Sequence, residues 1–173
     1  MLEIEKTYLA KELPFDLTKL KKKEIIDIYI PVEGKEHAPI RIRKNGEKYE
    51  ITKKSRLNEN SGSQLIEETI NLTKEEFETL EKQISGKRVR KIRHYYDYEG
   101  RTAEIDIFKE KLEGLVIIEF EFENEKDLNE FCMPPFCLAD VTEAHFTRGG
   151  VLAGKSYAEI ENELSKHNYK KII

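Results

Sequence analysis

The sequence predicts a mainly β protein of the α+β class: an eight-stranded antiparallel closed barrel with helices packed on its outside. Eight segments have the alternation or the β-branched composition of strands. Turn sequences such as Asn45-Gly46 and Glu99-Gly100 join neighbouring segments, so hairpin connections dominate. Amphipathic helices follow several strands, and helices on the outside of a barrel would turn the charged strand faces inward.

The composition favours one domain over residues 1–173, since this length is enough for a sizeable core. Charged residues make up 37% of the chain, but the formal net charge is only −4. This mixture of signs gives no indication of a nucleic-acid or membrane partner. No apolar run approaches 18 residues and no signal peptide is evident, so we expect a cytoplasmic location in which Cys132 and Cys137 are reduced packing residues.

The first half of the chain contains five predicted strands and one short helix. Pro31 ends the second strand, and Asn45-Gly46 is the strongest hairpin signal in the sequence. A polar Ser-Gly-Ser loop precedes the fifth strand. The predicted strands are 2–9, 24–30, 40–43, 48–55 and 65–72, and the predicted helix is about 16–23.

The second half contains three further strands and three helix starts. Thr73 to Glu76 forms a capping-box sequence that begins a helix ended by Gly86. Asn124 is a typical helix N-cap, and Ser156 to Glu159 repeats the capping-box pattern. The predicted strands are 89–98, 102–108 and 115–123, the last two helices end near 131 and 166, and residues 132–151 have no clear period.

In several predicted strands, charged residues stand two positions apart. Side chains at this spacing point the same way, so these charges share a strand face. Carboxylates bind hard divalent cations through oxygen, while Arg and Lys bind phosphate oxygens. An eight-stranded barrel has room inside for side chains or one small ligand, so inward-facing charges would suit a polyphosphate with its metal. On periodicity alone, a charged face in water remains the alternative. The shared faces are Glu3/Glu5, Arg41/Arg43, Thr52/Lys54, Lys91/Arg93, Glu104/Asp106 and Glu119/Glu121/Glu123.

Seven motifs in order give the chain a resemblance to a known family. They are Glu-Ile-Glu at 3–5, Arg-Ile-Arg at 41–43, Tyr-Glu-Ile-Thr-Lys-Lys at 49–54, Lys-Ile-Arg-His-Tyr at 91–95, Glu-Ile-Asp-Ile-Phe at 104–108, Glu-Gly-Leu-Val-Ile-Ile-Glu-Phe-Glu-Phe at 113–122, and Asp-Val-Thr at 140–142 followed by Leu-Ala at 152–153. Together they resemble the CYTH superfamily, also called triphosphate tunnel metalloenzymes. The family fold is an eight-stranded antiparallel barrel that forms a tunnel.

The resemblance implies a role for each matched residue. Catalytic roles fall on Glu3, Glu5, Lys91 and Asp106, with Glu104 as a further acidic candidate. Binding of the triphosphate falls on Arg41, Arg43, Lys54, Lys91 and Arg93, with Glu67 orienting a basic group. Binding of Mg2+ or Mn2+ falls on Glu3, Glu5, Glu119 and Glu121. Glu68 is the alternative to Glu67, and the Thr-x-Lys pattern favours Lys54 over Lys53.

The sequence departs from the family pattern at the first strand. The family's Glu-x-Glu-x-Lys motif places its lysine at Thr7, and the neighbouring Lys6 should face outward unless a bulge turns it. Further along, the family's Arg-Tyr and Asn positions hold Phe146-Thr147 and Gly149, with His145 and Arg148 nearby as possible substitutes.

The expected function is metal-dependent hydrolysis of a triphosphate, either inorganic tripolyphosphate or a small organic triphosphate. Thiamine triphosphate is one candidate, although no tryptophan is present to stack on it. The alternatives are a class IV adenylyl cyclase and a non-catalytic binder of polyphosphate or nucleotide, the second suggested by Thr7.

Overall fold

The structure, a computed structural model, describes residues 4–13, 16–31, 33, 38–56 and 65–172, without the side chains of 54–56 and 65–67. Its strands are β1 Ile4–Ala10, β2 Lys21–Ile30, β3 Ile40–Asn45, β4 Lys48–Arg56, β5 Leu65–Leu72, β6 Lys87–Tyr98, β7 Arg101–Phe108, β8 Val116–Phe122 and β9 Cys137–Asp140. Its α-helices are α1 Lys74–Gln83, α2 Glu125–Glu130, α3 Gly149–Leu152 and α4 Tyr157–Ser165. Short 3-10 turns span Leu17–Lys19, Glu110–Leu112 and His145–Thr147.

The nine strands of the described residues form one antiparallel sheet in the order β5-β4-β3-β2-β6-β7-β8-β1-β9. The prediction of a mainly β, antiparallel fold is confirmed. Within the described ranges β5 and β9 remain the two edges, so hydrogen bonds do not close the sheet into a barrel. The strand count of eight was one too low, because β9 has only four residues and shows no readable period.

The predicted helix at 16–23 is wrong. Asp16 caps a single 3-10 turn, Leu17–Lys19, and the strand then begins at Lys21 instead of residue 24. The first three residues of β2 pair with Tyr95, His94 and Arg93 of β6. Pairing with a distant strand therefore overrides the weak local preference of this lysine-rich segment.

The three predicted helix starts are confirmed. The Thr73 side chain accepts a hydrogen bond from the Glu76 amide at 3.2 Å, and the Glu76 carboxylate accepts one from the Thr73 amide at 2.7 Å. Asn124 caps α2 by accepting from the Asp127 amide at 2.9 Å, and Ser156 opens α4 with a second capping box. Among the helices of the described residues, none is long and apolar enough to cross a membrane.

One face of the sheet is apolar and carries α1 and α2. Phe77 of α1 packs with Ile26, Ile28 and Ile42 of β2 and β3. At the other side of the same face, α2 contributes Leu128 to a second cluster around Phe120. These two helices occupy the outside position that was predicted, so the opposite face of the sheet is the one that carries the paired charges; we call it the charged face.

One end of the charged face is apolar, and we call it the apolar end. Leu9, Val89, Phe108 and Ile117 lie there, each two residues from a polar site position on its own strand. They are covered by the C-terminal segment, including Leu152 of α3 and Tyr157, Ile160 and Leu164 of α4. The prediction that all helices pack outside is therefore wrong for α3 and α4, because these apolar side chains on the inner face also need burial.

Candidate functional site

Asp27 of β2 lies on the charged face and is 2% exposed. It accepts two hydrogen bonds from Arg43 of the neighbouring strand, from Nε at 2.5 Å and from Nη2 at 2.8 Å. Burial acts to raise the pKa of Asp27, but the bonds and charge of Arg43, with Arg41 and Lys91, outweigh it and lower the pKa. Asp27 is therefore ionised at neutral pH and fixes the Arg43 guanidinium as a two-pronged pair.

Arg41 lies beside this pair with its donors much less occupied. Its Nε is 3.9 Å from the Asp27 Oδ1 atom, which is an ion-pair distance but too long for a hydrogen bond. The Nε atom is buried and has no hydrogen-bond partner among the described residues. The guanidinium lies over the ring of Tyr29, 6.0 Å from its centroid. Arg41 thus presents spare cationic donors on the charged face.

Arg93 and Lys91 of β6 both contact Asp106 of β7, which is fully buried. Arg93 donates to Asp106 from Nε and from Nη2, each at 2.6 Å. Burial acts to raise the pKa of Asp106, but the charges and hydrogen bonds of Lys91 and Arg93 lower it overall. Lys91 also acts electrostatically on Asp27, so it links the group around Asp27 to the group around Asp106.

Arg93 also contacts two glutamates, Glu104 of β7 and Glu119 of β8. These glutamates are directly opposite each other in the strand register. Burial raises the pKa of Glu104; Arg93 acts against this, and Glu121, Asp106 and Glu119 add to the rise. Burial and the repulsion from neighbouring carboxylates together therefore outweigh the effect of Arg93 on Glu104.

Two further carboxylates lie at the exposed end of the charged face, where Glu5 of β1 is opposite Glu121 of β8. Both are exposed. A cavity of about 340 Å³ opens here and includes Glu104, Glu121 and Arg101 in its lining. We call the four carboxylates Glu5, Glu104, Glu119 and Glu121 the acidic cluster.

The acidic cluster has the right chemistry for a hard cation such as Mg2+ or Mn2+, which prefers oxygen ligands. In the described residues, no group of three or more His, Cys, Asp or Glu side chains is arranged to hold a metal ion. Glu3, the other predicted ligand, lies outside the residues that the structure describes. The donor types therefore fit a divalent cation, and its binding stays a prediction.

The predicted residues on β4 and β5 are only partly described. Thr52 is 1% exposed, and its hydroxyl lies 3.0 Å from that of Thr69. The backbone register pairs Lys54 with Glu67, two residues along from the pair Thr52–Thr69. This alternation favours Lys54 over Lys53 and Glu67 over Glu68, although the side chains of 54 and 67 lie outside the description.

Thr7 is buried on the charged face, directly opposite Glu119. Its amide donates to the Thr142 hydroxyl at 3.0 Å, and Asp140 in turn accepts from that hydroxyl at 2.6 Å. The register from Ile4 to Leu9 is continuous, and the irregularity in β1 falls later, between Leu9 and Ala10. No bulge therefore turns Lys6 into the site, and Lys6 stays opposite Phe120.

Asp27 and Lys23 belong to the charged face but were not predicted as site residues. The Lys23 ammonium lies 5.6 Å from the Tyr95 ring centroid, and the residue pairs with Arg93 in the register. Lys23 and Asp27 lie on the same face of β2, because an even number of positions separates them, and this spacing could have been read from the sequence. What the sequence did not provide was the placement of β2 between β3 and β6, which brings them beside Arg43 and Arg93.

Comparison with known proteins agrees with this arrangement. No protein-family model matches the chain. An inorganic triphosphatase from Nitrosomonas europaea is 32% identical over 105 residues, which are 60% of this chain and 67% of that protein. The chain belongs to the CYTH superfamily. The resemblance predicted from the seven motifs is thereby confirmed.

Solved structures of this CYTH fold cover nearly the whole chain. The crystal structure of an inorganic triphosphatase has a TM-score of 0.69 and 26% identity, over 90% of this chain and 96% of that one. A putative adenylate cyclase from Bacillus halodurans has a TM-score of 0.51 over 99% of this chain and 92% of its own. At 15% identity, that second likeness shows the fold alone.

Proposed function

We propose that this CYTH protein is a triphosphatase that hydrolyses inorganic tripolyphosphate or a small organic triphosphate on the charged face. The observation that carries the proposal is the buried Arg41 Nε atom without a hydrogen-bond partner in the described residues, beside Arg43 and Lys91. A buried donor without a partner is costly, so its presence favours an anionic ligand that would accept from it. The activity of the related Nitrosomonas protein supports a triphosphate as that anion.

The basic residues divide the binding of phosphate oxygens between them. Arg41 supplies free donors, and Arg43 is held rigid by Asp27, so that its remaining edge is oriented in advance. Lys91 and Arg93 are held side by side by Asp106. Lys54 is the further cation that the register and the family pattern favour. Fixed cations of this kind stabilise charge on the phosphoryl oxygens without reorganising during the reaction.

The acidic cluster, with Glu3, is the proposed site for Mg2+ or Mn2+. When bound, a divalent cation would neutralise phosphate charge and lower the pKa of a coordinated water. The chain's own contribution is to keep Glu119 and Glu104 close to Arg93, so that cationic and anionic groups alternate across a few ångströms. Cys137 is buried on the opposite, apolar face, and Cys132 is exposed, so hydrolysis by water needs no cysteine nucleophile.

A second candidate, a non-catalytic binder of polyphosphate, is favoured by Thr7. The family lysine is replaced by a buried hydroxyl-bearing residue opposite Glu119, and Lys6 does not take its place. Loss of one positioned charge typically costs about 100- to 1000-fold in rate. Thr7→Lys should raise phosphate release if turnover is limited at this position.

The deciding experiment measures phosphate and pyrophosphate release from tripolyphosphate, ATP and thiamine triphosphate, with Mg2+ and with Mn2+. The ATP arm is also assayed for cyclic AMP, which would identify a cyclase. If the parent protein binds tripolyphosphate without turnover, and Thr7→Lys restores turnover, the non-catalytic binder of polyphosphate would be supported. Neither binding nor turnover with any of the three would contradict the proposed function.

A further inference from the structure

Tyr29 lies between Arg41 and the start of α3. It pairs with Arg41 in the register of β2 and β3, and its ring lies under the Arg41 guanidinium. On its other side it contacts the backbone of Gly149 and Gly150. We infer that Tyr29 is a positioning residue that fixes Arg41, and that position 149 must be glycine to leave room for the Tyr29 hydroxyl. This inference rests on the proposed function.

Position 149 has no room for a side chain while Tyr29 keeps its present place. A Cβ atom at this position would lie 2.5 Å from the Tyr29 Oη atom, well inside the van der Waals distance. Gly149 is not one of the glycines with a left-handed backbone, so its conformation alone does not require glycine. The position also differs from the family pattern, which has Asn there. Occupation of this space by the Tyr29 hydroxyl is the physical reason for glycine at 149.

The backbone of α3 cannot move away to relieve such a clash. Leu152 and Ala153, which directly follow, are 0% and 2% exposed in the cluster at the apolar end. The Gly154 amide also donates to the Arg88 carbonyl of β6 at 3.0 Å. A side chain at 149 would therefore displace the Tyr29 ring, which is only half-buried, rather than the helix.

Displacement of Tyr29 would reach Arg41 because little else holds that side chain. Among the described residues, Arg41 has only the 3.9 Å ion pair with Asp27 besides the Tyr29 ring, since Arg43 takes both Asp27 oxygens at shorter distance. Cation–π contacts of this kind are sensitive to the placement of the ring. Arg43, fixed by two hydrogen bonds, should be much less affected.

The test is a double-mutant cycle on Gly149 and Tyr29. Gly149→Ala should raise the KM for tripolyphosphate about 10-fold, as expected for one lost hydrogen bond to a charged group, with kcat much less changed. On the Tyr29→Phe background, which lacks the clashing oxygen, the same Gly149→Ala change should have little effect on KM. Gly150→Ala is the matched control, because its Cβ would lie 3.4 Å from the Tyr29 ring. It should leave KM close to the parent value.

A measurement without ligand separates this inference from the proposed function. In the free protein, the Arg41 Hε–Nε resonance, assigned by its loss in Arg41→Lys, should shift in Gly149→Ala and return in the double variant. If the parent neither binds nor hydrolyses tripolyphosphate, the function is wrong, and the resonance still decides the role of Tyr29. If KM and the resonance are unchanged by Gly149→Ala in an active protein, the inference is overturned. Should Gly149→Ala not fold, Tyr29→Leu should raise KM and shift the resonance by itself.

Discussion

The two ends of the charged face use the same strands for opposite purposes. At the apolar end, Leu9, Val89, Phe108 and Ile117 meet the C-terminal segment and are 0–4% exposed. Two residues further along the same strands, Thr7, Lys91, Asp106 and Glu119 occupy the charged part. One end is closed by apolar packing, while the other collects carboxylates around the cations Lys91 and Arg93.

The difference shows which end maintains the fold and which end is adapted for a ligand. Apolar burial is favourable without any partner outside the chain. Buried charges need partners with good geometry, and burial together with neighbouring carboxylates already raises the pKa of Glu104. The apolar end should therefore determine stability at every condition, whereas the charged end should be stabilised by its ligand.

The largest expected effect is on activity at the charged end. Replacing Glu119 and Glu121 together by Gln should reduce triphosphate hydrolysis by about 1000-fold or more, because both are proposed ligands of the cation and a positioned electrostatic group at a site contributes about 100- to 1000-fold. The free energy of unfolding should stay the same or rise, since Glu104 and Asp106 still pair with Arg93 and a repulsion is removed. Phosphate release and urea unfolding measure the two effects, with Glu161→Gln on the exposed side of α4 as control. Unchanged turnover would place the metal site elsewhere.

The next effect is on stability. Arg93→Ala would leave the buried Asp106 with Lys91 alone and Glu104 without its cation, and it should cost about 3–5 kcal/mol of unfolding free energy. Arg88 lies on the same strand as Arg93 and forms surface pairs with Glu81 of α1 and with Glu110, so Arg88→Ala should cost about 0–1 kcal/mol. Denaturant unfolding compares the two. Equal costs would mean that the Arg93 contacts are not buried in solution.

At the apolar end, Ile160→Ala should cost about 2–5 kcal/mol, because Ile160 is 1% exposed in the cluster that covers that end. The KM for tripolyphosphate should change little, since no charged residue loses a partner. A large change in KM with a small loss of stability would break the distinction between the two ends.

The smallest effect concerns pH. The pKa of Asp27 is lowered in the folded protein, so its contribution to stability is full well above the unfolded-chain value of about 3.9. That contribution is lost as the pH falls through the lowered pKa. The cost of Asp27→Asn should therefore shrink as the pH falls from about 5 towards about 3, because the unfolded chain takes up its proton around the unfolded-chain value, whereas the cost of Ile160→Ala should stay constant. Urea unfolding across this range checks both, and a constant cost for Asp27→Asn would show that the pKa of Asp27 is not lowered on folding.

Local patterns were enough to predict most elements and the site strands. Helix caps at Thr73, Asn124 and Ser156 and the alternation of charges along the strands were correct because they depend on neighbouring residues only. The resemblance then supplied the roles, which no local pattern contains.

What local patterns did not predict depends on pairing between distant segments. Asp27 becomes a site residue only because β2 lies between β3 and β6. In the same way, Lys21 to Lys23 became strand because β6 offered partners. The closing of the apolar end by α4 also brings residues that are far apart in the chain, such as Leu9 and Leu164, into one cluster.

The position of β1 in the sheet has a consequence for synthesis of the protein. β1 is made before the other strands of the described residues, but both its neighbours, β8 and β9, come more than a hundred residues later in the chain. Such long-range pairing requires a large loop to close and tends to be slow. β1 should therefore wait unpaired on the ribosome until β8 emerges, while β2 to β4 form hairpins among themselves. Because Glu5 and Thr7 lie on β1, the chain cannot acquire its complete site before β8 has been synthesised.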